Sequence, residues 1–133
     1  MTSEQEEDDL RFFRYVQREN LASLMNNTKW REVIAAIQAV ERYRPRFRVK
    51  CVRDGEPAPD SWDGSFPFHV PTFRHIEWLE FDPVVRTRRG AIVPDLTEDF
   101  GTPIEAALAT ASIPFERVGS AIRIVGYFRP AKI

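Results

Sequence analysis

From Asp9 onward, apolar residues recur at helical spacing. Leu10, Phe13 and Val16, with Phe12 beside them, lead on to Leu21, Leu24 and Met25. This spacing predicts a first helix capped by Asp8 or Asp9, since a carboxylate suits the positive start of a helix. Asn26-Asn27 is its expected stop, because Asn tolerates left-handed backbone. Residues 1–8 are acidic and polar, and are expected to be disordered. A second helix is marked by Trp30, Val33, Ile34, Ile37 and Val40, which form one apolar stripe. Thr28 is read as its cap and Arg44-Pro45 as its end, since a residue before proline disfavours helical geometry.

The period then changes to two. Phe47, Val49 and Cys51 alternate with Arg46, Arg48 and Lys50, which is the signature of a half-buried strand. The stretch from Asp54 to Pro71 is rich in turns and proline. Phe73 to Phe81 reads as an aromatic-rich strand, in which adjacent Trp78 and Leu79 predict a bulge or burial on both faces. A short hairpin is expected around Arg89-Gly90, within 84–93. A third helix is expected over 97–111, its regular part starting near Thr102, with Pro103 early in it and Ile104, Leu108 and Ala111 on its buried side. Gly119-Ser120 joins two β-rich runs as a hairpin turn. The order is α-α-β-β-(β)-α-β-β. This is an α+β fold, an antiparallel four- to five-stranded sheet with helices packed on one face. Residues 9–133 form a single domain.

Composition narrows the classes of function. In 133 residues, 19 Lys and Arg meet 20 Asp and Glu, for a net charge of −1. The whole body is therefore not a polyanion binder. One cysteine, Cys51, excludes an internal disulfide, and with only two histidines, His69 and His75, no metal site or other cofactor is expected. The N-terminus lacks the features of a secretory signal, and no apolar run is long enough for a membrane helix. A soluble, cytoplasmic protein is expected. The charge, however, is laid out in blocks: −3 over residues 1–28, +6 over 29–53, −6 over 54–82, +3 over 83–94, −5 over 95–116 and +4 over 117–133. Cross-strand pairing of Arg46, Arg48 and Lys50 with Glu77 and Glu80 is the ordinary account of two of these blocks.

Candidate chemistry is sparse. His75 and Glu77 would share a face of a regular strand and make a workable acid–base pair, yet no nucleophile motif stands beside them. His69 reads as a packed loop residue. Asp95, Glu98 and Asp99 read as the acids of a helix start. No phosphate-cradling glycine loop or calcium loop occurs in the sequence. For nucleic acid, the basic strip Arg42–Arg53, with Arg44, Arg46, Arg48 and Lys50 at its centre, is the best candidate.

Four segments together carry a resemblance: Asn27-Thr28-Lys29-Trp30-Arg31-Glu32; Arg74-His75-Ile76-Glu77-Trp78-Leu79-Glu80; Thr97-Glu98 leading to Ile113-Pro114-Phe115; and Ile122-Arg123-Ile124-Val125-Gly126-Tyr127. The set resembles a family of small uncharacterised bacterial proteins known only as a domain of unknown function, over roughly residues 27–130. In that family the last segment carries Trp where this chain has Val125. Residues 1–25 look like an addition to it. The resemblance implies no settled activity.

The expected function is a binding module rather than an enzyme. Most concretely, it is an immunity protein that binds and neutralises a cognate bacterial toxin, an expectation that rests on analogy of size and character. Its partner-binding residues are expected to be Arg74, Glu77, Trp78, Glu80, Tyr127 and Arg129 on the sheet, with Asp60, Trp62 and Asp63 on the loop. The acids would face a basic toxin cleft. Trp78 and Tyr127 must be exposed for this. Edge strands permit a homodimer. The alternatives are a nucleic-acid or regulatory protein using the Arg42–Arg53 strip, and a small enzyme using His75 and Glu77.

Overall fold

The computed structural model describes residues 3–130. Helix α1 spans Glu4–Arg18. Ser3 caps it, its hydroxyl accepting from the Glu6 amide at 3.2 Å, and Glu4, Glu6 and Glu7 occupy the first turn. The acidic run expected to be disordered is thus, from Glu4, the start of the helix, where acids complement the macrodipole. The helix also ends earlier than the Asn pair. Asn20 takes left-handed backbone at φ 54°, and Leu21, Leu24 and Met25 lie beyond it. Strand β1, Ala22–Ser23, follows at once.

Helix α2 spans Asn27–Gln38. Asn26, not Thr28, is its cap. Asn26 has extended backbone, and its side-chain oxygen accepts from the Lys29 amide at 2.8 Å, so Thr28 already lies inside the first turn. The helix stops well before Arg44-Pro45: it ends at Gln38 with Ala39 as its C-cap, and Arg42, at φ 64°, turns the chain a few residues further on. Trp30, Val33 and Ile37 bury the apolar stripe, and Val40 joins them from beyond the helix.

Strands β2 (Phe47–Cys51), β3 (Ile76–Phe81), β6 (Glu116–Val118) and β7 (Ala121–Val125) form a four-stranded antiparallel sheet in the order β2-β3-β7-β6. A single turn of 3₁₀ helix, Phe73–His75, leads into β3. Phe47, Ile76, Leu79, Phe81, Ile122 and Ile124 form the inner face. They pack against α2 and against Ile104 and Leu108 of helix α3, Gly101–Thr110. The predicted irregularity of β3 is a bulge. Lys50 pairs with Trp78 and Cys51 pairs with Ile76, so Glu77 is the extra residue and all six residues of β3 are buried.

Strands β4 (Val84–Thr87) and β5 (Leu96–Asp99) form a separate two-stranded ribbon. Thr97–Asp99, expected to open the third helix, are therefore strand. Glu98 and Asp99 gain ladder bonds there, and the helix begins only at Gly101, whose amide is held by Asp99 Oδ1 at 2.8 Å. Asp95 lies just before β5 rather than at a helix start. Gly119, at φ 60°, turns the β6–β7 hairpin.

After β7 the chain bends at Gly126 into β8, Tyr127–Phe128, which pairs with β1. A β-carbon at Gly126 would overlap the carbonyl oxygen of Ile76, so only glycine admits this approach. Its amide donates to the Glu77 carbonyl at 2.7 Å, and its own carbonyl accepts from Leu24 at 2.9 Å. A second, smaller apolar cluster of Phe12, Leu21 and Val52 joins α1 to this end of the sheet.

Candidate recognition face of the sheet

With one face of the sheet committed to α2 and α3, alternation places Arg48 and Lys50 of β2, Trp78 and Glu80 of β3, and Arg123 and Val125 of β7 on the other. Register then does the chemistry. Arg48 lies opposite Glu80, and Glu80 lies opposite Arg123. Glu80 is fully buried, and each carboxylate oxygen takes one guanidinium: Oε1 accepts from Arg48 Nε and Oε2 from Arg123 Nε, both at 2.7 Å. Each guanidinium also covers an indole. Arg48 stands 4.3 Å from the centre of a Trp62 ring and Arg123 stands 4.2 Å from that of Trp78. Desolvated cation–π contacts of this kind are worth up to about 2 kcal/mol. The result is a row running Trp62, Arg48, Glu80, Arg123, Trp78. Trp62 reaches it because Arg48 also donates to the carbonyl of Pro59, which draws the 54–71 loop onto the sheet edge.

A second group lies alongside. The bulge turns Glu77 to the same side as Lys50, and its Oε1 accepts from Lys50 Nζ at 3.1 Å and from Arg129 Nη2 at 2.6 Å. The bond to Glu77 pushes the Arg129 pKa above its ordinary value. Arg129 Nη2 also donates to the Val52 carbonyl at 2.8 Å. These two groups hold four cations, Arg48, Lys50, Arg123 and Arg129, against two buried carboxylates.

Next to Arg123 lies a hollow of about 330 Å³ lined by Leu24, Met25, Pro114, Phe115, Glu116, Arg123 and Val125. Its walls are apolar apart from Arg123 and Glu116, whose Nη1 and Oε1 are 4.0 Å apart. Its size and lining suit an inserted apolar group with one polar anchor.

The expected partner-binding residues fall into separate places. Trp78, Trp62 and Glu80 join the row, and Glu77 and Arg129 the second group. Arg74 and Tyr127 sit by α1. Arg74 pairs with Asp9 and stands over Phe12, and the Tyr127 hydroxyl donates to the Arg74 carbonyl at 2.8 Å. That pairing with Arg74 holds the Asp9 carboxyl below the usual carboxylate range. Asp60 is exposed. Asp63 is a loop fastener: it exchanges backbone bonds with Phe47, and its carboxylate takes the Ser65 amide and the His69 ring, which lower its pKa in that order. Two expectations need correction. Glu77 and Glu80 are buried and neutralised by cations, so neither offers a free acid to a basic cleft. Trp78 is 6% exposed, its indole covered by Arg123, so it supports the face instead of contacting a partner; Tyr127 is half-buried. Arg123, Glu116 and the hollow residues were missing from the expected site. The alternation of Ile122, Arg123 and Ile124 signals an outward Arg123, but only the β3–β7 register aims it.

His75 does not lie on β3 beside Glu77. It sits in the 3₁₀ turn, its ring edge-on to Phe12 at 4.8 Å between centroids, and burial, with Arg74 and Arg53 nearby, pushes its pKa below the usual value. His69 is more exposed than a packed loop residue. The Arg42–Arg53 strip is not one surface of free cations. Arg42 pairs with Glu98, Arg46 with Asp82, Arg48 with Glu80, Lys50 with Glu77 and Arg53 with Asp8, while Arg44 bonds the Thr87 hydroxyl. The cross-strand pairs predicted for Arg48 and Lys50 are among these. Burial pushes the Cys51 thiol pKa up, as befits an inert thiol. Among the described residues, no group of three His, Cys, Asp or Glu side chains is placed to hold a metal, and no helix is long and apolar enough to cross a membrane.

The chain is thus an α+β domain whose sheet carries a cation-rich, aromatic-backed outer face. It belongs to the family of unknown function DUF6678, which matches residues 12–131. The match begins inside α1, so the segment from Phe12 to Met25 is part of the family domain and not an addition to it. No curated protein and no solved structure matches the chain.

Proposed function

We propose that this chain is a protein-binding module that recognises its partner through the outer face of the central sheet. One observation carries the reading. Arg123 is stacked on Trp78, clamped through Nε by the buried Glu80, and set on the wall of an apolar hollow. An arginine fixed in this way loses little conformational entropy on binding, which is what makes a good anchor. The matching partner inserts an apolar side chain between Leu24, Met25 and Phe115 and sets a carboxylate against the Arg123 Nη groups. The excess of cations on the face favours an acidic partner surface and speeds the encounter.

The particular form of this reading is an immunity protein that occludes a cognate bacterial toxin. It is supported by the small domain, the segregated charge blocks and the preorganised face. The test is co-purification with the product of the adjacent gene, followed by titration of the pair with variants. Arg123→Ala and Leu24→Asp each weaken the complex at least tenfold, while Arg31→Ala on the exposed side of α2 leaves it unchanged. A complex indifferent to both of the first two substitutions, with folding intact by circular dichroism, refutes the sheet face as the interface. An adjacent product that forms no complex refutes the immunity reading.

A further inference from the structure

The β4–β5 ribbon stands apart from the sheet in chemistry as well as in pairing. Its root is anchored in the core by Val85 and, just past β5, by Phe100. Beyond that root, every residue from Arg88 to Thr97 is exposed. The tip presents Ile92 at 96% exposure, with Val93 and Leu96 close to half exposed. Three exposed apolar side chains gathered on one turn form the kind of patch that marks a contact site.

The charge around this ribbon is arranged on both of its sides. Directly opposed residues of an antiparallel pair share a side. Thr87 and Leu96 lie on one side, as do Val85 and Glu98; Arg86 and Thr97 lie on the other. Arg44 donates to the Thr87 hydroxyl at 3.1 Å and Arg42 pairs with Glu98 at 3.4 Å, which places both against the first side. Arg86 projects from the second. Arg88 and Arg89 follow at the end of β4, where Arg89 Nε closes the turn on the Pro94 carbonyl at 3.1 Å. The side chains of Arg86 and Arg88 are exposed and have no intramolecular hydrogen-bond or ion-pair partner among the described residues. The ribbon's acids are Asp95 beside the turn, Glu98, which is paired with Arg42, and Asp99 at the root on the side of Arg86, where its carboxylate accepts from the Gly101 amide.

We propose that this ribbon enters the major groove of duplex DNA. A flat anionic surface, whether a bilayer or a protein, meets only one side of a ribbon and leaves the other side's cations in water. A groove with phosphates on both walls meets both sides at once. Two strands about 4.8 Å apart, with their side chains, fit a B-form major groove about 12 Å wide. The apolar tip then reaches the groove floor, where thymine methyl groups offer apolar contact. This surface lies outside the sheet face and does not depend on it.

The experiment is fluorescence anisotropy of the full chain with a labelled 20-base-pair DNA duplex at several salt concentrations. If Arg44, Arg86, Arg88 and Arg89 each neutralise one phosphate, affinity falls about 100-fold between 50 and 200 mM salt. The double variant Arg86→Ala/Arg88→Ala, which breaks no intramolecular bond, lowers the salt slope by about two units and weakens binding at least tenfold. Ile92→Ser weakens binding without changing the slope. Arg31→Ala changes neither. The proposal is overturned by no binding at 50 mM salt or by a double variant that binds like the parent. Equal affinity for an A-form RNA duplex, whose major groove is too narrow, also overturns it. So does equal binding to anionic phosphatidylglycerol vesicles.

Discussion

Glu80 Oε2 accepts a hydrogen bond from Arg123 Nε at 2.7 Å across the β3–β7 pair, and the carboxylate that makes this bond is fully buried. Its other oxygen is held in the same way by Arg48. Two cations therefore depend on one carboxylate. Removing that negative charge with Glu80→Gln leaves two partly buried guanidiniums facing each other and is expected to destabilise the fold by about 3 kcal/mol. Replacing all three residues by apolar ones of similar size should cost far less, because the desolvation penalty goes with the charges. Urea denaturation of both variants checks this. A Glu80→Gln variant as stable as the parent would show the row to be energetically idle.

Gly126→Ala is expected to destabilise by about 1–3 kcal/mol or more, since the added methyl drives the chain off the Ile76 carbonyl and against the Trp30 ring. The same strain would loosen the Leu24 amide from the Gly126 carbonyl, and with it one wall of the hollow. Thermal unfolding measures the first effect. Amide hydrogen exchange at Leu24 measures the second.

Asn26→Ala is expected to cost about 1 kcal/mol, the usual loss for an N-cap, because the Lys29 amide loses its acceptor. Thr28→Ala, inside the first turn, should change stability by much less. Equilibrium denaturation of the two single variants separates them, and equal losses would contradict the cap geometry.

The pH response of His75 has a definite sign. Burial and the neighbouring arginines depress its folded-state pKa below 6.5, so the unfolded chain binds the proton more readily. Stability from this group is complete above 6.5 and is lost as pH falls below 6.5 towards the depressed value. His75→Phe should flatten the fall in unfolding temperature between pH 7.5 and 5.5. Asp9, depressed by Arg74, acts lower: its contribution is lost only as pH falls below its usual 3.8. A parent protein with no loss of stability from pH 7.5 to 5.5 would contradict the first assignment.

Much of the frame is legible in the chain because it depends on period. The stripe Trp30, Val33, Ile37 gives α2, and the alternation of Phe47 to Cys51 gives β2. Adjacent apolar Trp78 and Leu79, which break the alternation, point to the bulge that turns Glu77 outward. Opposite charges on neighbouring strands foreshadow that Arg48 and Lys50 meet Glu77 and Glu80, but register chooses the pairs, and Arg46 goes to Asp82 instead. Element ends were harder. Asn20 leaves α1 through left-handed backbone and α2 ends at Ala39 in right-handed backbone, and no glycine marks either point. Thr97–Asp99 pair as a strand although acids before a helix look like its first turn, because the ladder to β4 satisfies their backbone first.

The α+β class, the buried faces of the helices and the charge blocks can all be read along the chain, because they depend on local periodicity and on counting. Which charges remain available depends on how the strands meet in three dimensions. Register across three strands set Glu80 between Arg48 and Arg123 and hid Trp78 beneath Arg123. It left Arg86 and Arg88 unpaired on a ribbon apart from the sheet. Register and burial arise from contacts between segments far apart in the chain, and no local pattern encodes which carboxylate a given arginine will meet.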